Sequence, residues 1–347
     1  MLKGVKLASV LAAAAMVLTA CSSGGSATDT ATTAAATPAV KVGMAYDQDG
    51  KGDGSFNDAA YAGLSKAQAD LGVEIKEVSS GASATDASRE ELLTLLANDG
   101  YNPIIAVGFA YSAALGNVAA KFPDTTFAIV DSVVEQPNVG SLLFAAEQGS
   151  YLVGVIAASA SKSGHIGFIG GMEIPLIKAF EAGYNAGAKS VKADIVIDSK
   201  YMGPAGDNTA WNVPEKAKTA SAGMIDNGAD VIYAAAGGSG LGMFQAIQEA
   251  GAGNWAIGVD SDQYNVPSLS AYKDFILTSM LKRVDVAVYQ VIKGVVDGAP
   301  LVGVQNFDLA KDGVGASTSN PAVAEYTAAA DAAAAAIKAG TVTVPSE

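Results

Sequence analysis

The sequence predicts an α/β fold on open, mostly parallel sheets, and three observations carry that prediction. Short apolar runs recur at 42–46, 104–107, 127–130, 166–169, 195–197, 231–234, 255–259 and 276–280. Each is brief and apolar on both faces, as suits parallel strands covered by helices on either side. Between the runs lie amphipathic stretches, and alternation of this kind means α/β layers. The length, about 325 residues after an N-terminal leader, exceeds one comfortable core and favours two lobes. Eight strand–helix units can also close into a single barrel, and composition leaves that alternative open.

In chain order, the first element is a leader. Lys3 and Lys6 precede an unbroken apolar and small-residue run over 7–20, which ends in Leu18-Thr19-Ala20-Cys21. The run is too short to span a bilayer, which takes roughly 20 residues, and suits the core of a secretory signal at 1–20. Its end is similar to a bacterial lipobox, whose cysteine takes lipid and becomes the first mature residue. Cys21 is the only cysteine in 347 residues, so no internal disulfide holds the fold. Residues 21–38, Cys21 and Pro38 aside, are Ser, Thr, Gly and Ala with one aspartate. Such a stretch builds no core and reads as a flexible tether spanning roughly 20–25 Å. The expected localisation is the extracytoplasmic face of a cell membrane, held by lipid.

The body begins near Val40. The stretch 57–71 aligns Ala60, Leu64, Ala67 and Leu71 on one helical stripe, and Gly72 ends it. The stretches 86–98 and 215–226 read the same way. With 21 basic against 35 acidic side chains, a formal charge of −14, the chain repels phosphate backbones, which excludes nucleic acid as a partner. One histidine and one cysteine leave no metal-ligand cluster, and no cofactor motif is present: 237–242 is glycine-rich but lacks both the P-loop and the dinucleotide spacing.

In open parallel sheets ligands bind at the carboxyl ends of strands. Here those ends carry Asp47, Asp131, the glycines Gly237 and Gly238, Asp260, and Lys282. Each aspartate taken alone also suits a helix N-cap. Together with a lysine they suit a neutral ligand rich in hydroxyls, because carboxylates accept and lysine donates to the same oxygens.

These residues bring a family into view. Gly54-Ser55-Phe56-Asn57-Asp58, Ala145-Ala146-Glu147-Gln148-Gly149-Ser150-Tyr151, Phe180-Glu181-Ala182-Gly183, Ala236-Gly237-Gly238-Ser239-Gly240, Ile257-Gly258-Val259-Asp260-Ser261-Asp262 and Leu277-Thr278-Ser279-Met280-Leu281-Lys282-Arg283 stand in the order found in the basic membrane protein family. The chain resembles these purine nucleoside receptor-type lipoproteins, substrate-binding components of bacterial ABC importers, over nearly all of 40–304. The resemblance implies two Rossmann-like lobes joined by three crossing strands, with a ligand cleft between them. The lobes are expected at 39–146 plus 276–300 and at 147–275 plus 301–347. It also implies a nucleoside ligand, permease subunits as partners, a monomer, and no enzymatic activity. A sugar or autoinducer receptor of the same fold is the alternative, with a nucleoside hydrolase behind it. Carried over residue by residue, Phe56 stacks on the base and Asn57 bonds its edge. Asp131, Asp260 and Lys282 hold the ribose, Gly237 and Gly238 bring backbone close, and Asp47 touches base or ribose. The second stacking ring is Phe180 or Tyr233.

Overall fold

The computed structural model describes residues 39–48 and 50–347. The leader, Cys21, the tether and Asp49 lie outside the described residues. The body alternates strands and helices: β1 (Lys41–Tyr46), α1 (Phe56–Leu71), β2 (Glu74–Ser79), α2 (Asp86–Asn98), β3 (Ile104–Val107), α3 (Ser112–Ala119), β4 (Phe127–Val130), β5 (Val139–Phe144), α4 (Ala146–Ala160), β6 (His165–Met172), α5 (Pro175–Val191), β7 (Val196–Gly203), α6 (Pro214–Asp226), β8 (Val231–Ala235), α7 (Gly240–Ala250), β9 (Trp255–Asp260), β10 (Ile276–Lys282), α8 (Val284–Val296), β11 (Gly303–Phe307), β12 (Val314–Ala316) and α9 (Thr327–Lys338).

The strands form two open six-stranded sheets, ordered β11-β5-β4-β3-β1-β2 and β12-β10-β9-β8-β6-β7. All pairings are parallel except β10 with β12. Two open sheets answer the barrel question. Each sheet is covered on both faces: α1 and α8 on one side of the first and α2 and α3 on the other, α4, α5 and α9 against α6 and α7 on the second. That sandwiching explains why the central strands read as continuous apolar runs, with β3, β4 and β8 wholly buried. The run at 195–197 is different. It opens β7, an edge strand with mostly exposed or half-buried side chains, because one of its edges has no neighbour.

Local chemistry sets the helix ends. Thr85 caps α2 in a reciprocal box with Ser88, proline opens α5 and α6, and Gly72 ends α1 in the left-handed region. The family block Phe180-Glu181-Ala182-Gly183 acquires a packing reason. A Cβ on Gly183 would lie 2.1 Å from the Glu147 carbonyl oxygen, and one on Gly154 would lie 2.2 Å from that of Tyr184. Helices α4 and α5 thus cross backbone to backbone. Among the described residues no helix is long and apolar enough to cross a membrane.

The chain passes between the sheets three times, near Ala145, Arg283 and Asp308, and these crossings correct the expected lobe boundaries. Residues 276–300 were expected in the first lobe, yet β10 pairs with β9 in the second sheet, and only α8 after it packs on the first. Residues 301–347 were expected in the second lobe, yet β11 pairs with β5 in the first sheet. The switch falls after β10 rather than before it. The crossings are tied together: Ala145 N–H donates to the Phe307 carbonyl at 3.0 Å, Leu309 N–H to Gln148 Oε1 at 3.0 Å, and the Phe144 and Phe307 rings stack at 5.1 Å.

Candidate functional site

The carboxyl ends of strands from both sheets face one cavity of about 320 Å³. The first lobe contributes Asp47 after β1, Phe56 and Asn57 at the start of α1, Phe109 after β3 and Asp131 after β4. The second contributes Phe180 from α5, Trp211 before α6, Gly237 and Gly238 after β8, Asp260 ending β9 and Lys282 ending β10. Nine of the ten ligand residues expected from sequence line this cavity, which Asp47, Phe56, Asn57, Asp131, Phe180, Gly237, Gly238, Asp260 and Lys282 enter together.

Tyr233 does not, and this corrects its assignment as a stacking ring. It is fully buried in the second-lobe core. Its ring packs on Phe168 at 5.6 Å and Tyr184 at 5.2 Å, and its hydroxyl shares a 3.2 Å hydrogen bond with Ser150 Oγ. The reason is register. Tyr233 faces α4 and α5 from the middle of β8, well before the strand's carboxyl end.

Two aromatic residues that sequence reasoning passed over complete the walls. Phe109 and Trp211 meet edge to face across the cleft at 6.5 Å. Phe109 follows Gly108 at the end of β3, so the strand-end rule that found the aspartates reaches it too. Trp211 comes from the connection between β7 and α6, where no strand-end signal points. Its ring lies so close to Gly171 that a Cβ there would come within 2.3 Å.

At the centre of the cleft the charged groups are dry, and one lysine serves two aspartates. Lys282 Nζ forms an ion pair with Asp131 Oδ2, with side chains 3% and 5% exposed. The same ammonium sits 4.8 Å from the Phe56 ring centre, 5.2 Å from Phe144 and 5.8 Å from Phe180, within cation–π range. Asp131 Oδ1 is buried with no hydrogen-bond partner, an acceptor left over by the pair. Asp260 accepts Ser55 Oγ–H at 2.6 Å. Burial raises its carboxyl above the usual range, opposed by the Lys282 charge and the Ser55 hydrogen bond. Asp131 and Asp260 both hold left-handed backbone, φ 65° and 63°, which aspartate tolerates better than most residues. Neither is a helix N-cap: their carboxylates reach across the cleft instead.

At the other end, burial pushes Asp47 up to about 7, with nearby Asp53 and Asp131 adding to the rise and a hydrogen bond from Asn57 opposing it. Asn57 is 4% exposed and its Oδ1 has no partner, so its amide donates to Asp47 and leaves an acceptor to spare. Burial likewise lifts Asp53 to about 6, although it accepts the Ser55, Asn57 and Asp58 amides at 2.9, 2.9 and 3.1 Å. Asp58 returns the contact to Gly52 and Gly54 N–H, both at 2.8 Å, and the glycine-rich rim loop is knotted to the start of α1. Gly237 has φ 54°, a conformation that favours glycine and turns backbone towards the cavity. Among the described residues no group of three or more His, Cys, Asp or Glu is placed to hold a metal ion.

An aromatic-walled cleft between two lobes, with carboxylates and a lysine at strand ends, can bind a flat, hydroxylated molecule. Comparison with known proteins points the same way. The chain is 35% identical over 329 residues to the ABC transporter nucleoside-binding protein BmpA of Lactococcus lactis subsp. cremoris, covering 89% of this chain and 90% of that one. It is 35% identical over 295 residues to an uncharacterized lipoprotein of Pyrococcus horikoshii, covering 80% and 68%. Among solved structures, a solute-binding protein of an ABC transporter system from Aeropyrum pernix K1 superposes with TM-score 0.76 at 28% identity, over 89% of this chain and 94% of that one. The sequence model for PnrA-like ABC transporter substrate-binding proteins, named Bmp, matches residues 39–347. The chain therefore belongs to the Bmp family and is a substrate-binding protein of ABC transporters, not an enzyme.

Proposed function

We propose that this protein is a lipid-anchored extracytoplasmic receptor that captures nucleosides, purine nucleosides foremost, and delivers them as a monomer to the permease subunits of an ABC importer. One observation carries the ligand class: a single cavity joins aromatic faces to a buried set of one lysine and two aspartates. Phe56 stacks on the base, with Phe180 as the opposing ring, and Asn57 and Asp47 meet the base edge. Asp131, Asp260 and Lys282 hold the ribose hydroxyls, and Gly237 and Gly238 admit the ligand close to backbone. The Lactococcus relative's name supports the class, and the Pyrococcus relative's supports a lipid anchor at Cys21.

Mass spectrometry of small molecules released by denaturing the purified protein, followed by calorimetric titration, tests the ligand. A purine nucleoside in the released fraction, with inosine binding more tightly than 2′,3′-dideoxyinosine, is expected. Losing a charge-assisted hydrogen bond costs about 1.5–3 kcal/mol. Equal affinity for both would remove the ribose clamp, and a released sugar would favour the sugar-receptor alternative. For the anchor, Cys21→Ser should move the protein from the membrane to the soluble fraction. A variant still wholly membrane-bound would overturn the lipidation.

A further inference from the structure

On the cleft rim the lobes also meet in a contact that is polar, largely buried and two-way. From the first lobe, Ser55 Oγ–H donates to Asp260 Oδ2 at 2.6 Å, with the Val259 carbonyl 3.3 Å away. From the second lobe, Ser261 Oγ–H donates to the Ser55 carbonyl at 2.9 Å, and Gln263 Nε2–H to the Gly54 carbonyl at 2.9 Å. Ser55 is fully buried and Gln263 is 4% exposed. Beside them Gly54, at φ 62°, fits against Leu269 and Val266 of the second lobe. Neither Ser55, Ser261 nor Gln263 lines the cavity, so these bonds join lobe to lobe rather than protein to ligand.

We infer that Gly54 and Ser55 form a latch that holds the lobes closed, and that Ser55 is a positioning residue for Asp260. By occupying Oδ2, the Ser55 hydroxyl fixes the carboxylate's rotation and leaves Oδ1 for the ligand. The bond exists only when the lobes meet, so closure and the readiness of Asp260 come together. The positioning half rests on the nucleoside reading. The latch half rests on the cross-lobe geometry alone.

Ser261→Ala removes one latch bond without touching the cavity, and Ser55→Ala removes the bond that also orients Asp260. Ser261→Thr keeps the hydroxyl and serves as rescue. Inter-lobe distance in the free protein, by single-molecule fluorescence transfer, and inosine association and dissociation rates, by stopped flow, are measured on the mature chain. Both alanine variants should shift the free protein towards open separations. Inosine dissociation should rise about three- to tenfold in Ser261→Ala, the range for a neutral hydrogen bond, and about tenfold or more in Ser55→Ala, whose bond is to a carboxylate, with association unchanged and Ser261→Thr close to wild type. A variant that merely loosened the fold would not move dissociation alone. Unchanged separations together with unchanged dissociation overturn the latch. A change in Ser55→Ala with none in Ser261→Ala also overturns it. If wild-type protein does not bind inosine, the nucleoside reading fails, and the distance measurement alone decides the latch.

Discussion

The two lobes repeat one design with different chemistry at matching places. Their sheets share a strand order, and β4 and β9 take corresponding positions. Each leads into an aspartate in left-handed backbone, Asp131 in one and Asp260 in the other. Each aspartate then finds its partner in the opposite lobe: Asp131 pairs with Lys282, and Asp260 accepts from Ser55. The next strands, β5 and β10, end in Phe144 and Lys282, two residues before α4 and α8. After β3 the chain places Phe109, and after β8 Gly237. The first lobe is thus rich in carboxylates, with Asp47, Asp53 and Asp131 on the cavity. The second supplies the buried lysine, bare backbone and one carboxylate, whereas the first lobe's own Lys51 is exposed and engaged by Glu77. Neither half is electrostatically complete alone, which ties ligand capture to the meeting of the lobes.

The largest test by substitution removes the cation that completes the first lobe. Lys282→Met keeps length and loses charge. Breaking one partner of a buried pair costs about 3–5 kcal/mol, because Asp131 would be left charged and dry. Urea denaturation should show that loss, with inosine affinity falling in parallel. Lys282→Met with Asp131→Asn should recover most of the stability but not the affinity. If the single variant is as stable as wild type, the lobes do not depend on one another for charge balance.

The next test varies pH and concerns the first lobe alone. Burial raises Asp47 from 3.8 to about 7 and Asp53 from 3.8 to about 6. Between those values the folded state holds protons that the unfolded state has released, so the stability of the free protein falls as pH rises. The contribution is fully present below about pH 4 and is gone once pH passes about 7 for Asp47 and about 6 for Asp53. A tenfold change in proton affinity corresponds to about 1.4 kcal/mol, so over both groups the fall reaches about 7 kcal/mol. Denaturation midpoints taken from about pH 4 to about pH 8 should trace it, and Asp47→Asn should flatten its upper part. An unchanged slope in that variant would mean that Asp47 is better hydrated than its surroundings indicate.

Much of this arrangement was legible in the sequence, for a physical reason. Buried parallel strands are apolar on both faces, and their polar terminal residues stand out against that background, as Asp131, Asp260 and Lys282 do. Four strands were not legible. Glu74–Ser79 carries charges at an edge, Val139–Phe144 is interrupted by Gly140 and Ser141, and β11 and β12 are short and partly exposed. The lobe boundaries failed with them, since β11 defines where the chain returns to the first sheet. Trp211 was hidden because a connection, not a strand end, carries it. Tyr233 misled because the apolar run ends at 234 in sequence whereas β8 runs to Ala235, and because an aromatic residue in a strand looks the same in sequence whether it faces core or cleft.

That distinction gives the last and smallest test. Counted back from Phe109 and Gly237, Ile105 and Tyr233 occupy matching places in β3 and β8, and both are fully buried. Tyr233 is therefore the second lobe's version of a core aliphatic residue, with one hydroxyl bonded to Ser150. Tyr233→Phe deletes that bond and keeps the packing on Phe168 and Tyr184. It should cost about 0.5–1.5 kcal/mol of stability and leave inosine affinity unchanged. Phe56→Ala is its mirror image. Phe56 is half-buried at the cleft with its ring over Lys282, so its loss should weaken binding by about 1–3 kcal/mol, the range for base–aromatic stacking. Truncating a core phenylalanine would cost about 3–5 kcal/mol of stability instead. Affinity and unfolding midpoint measured on both variants separate the roles. Should Tyr233→Phe weaken binding while Phe56→Ala only destabilises, the cleft and the core of the second lobe have been assigned the wrong way round.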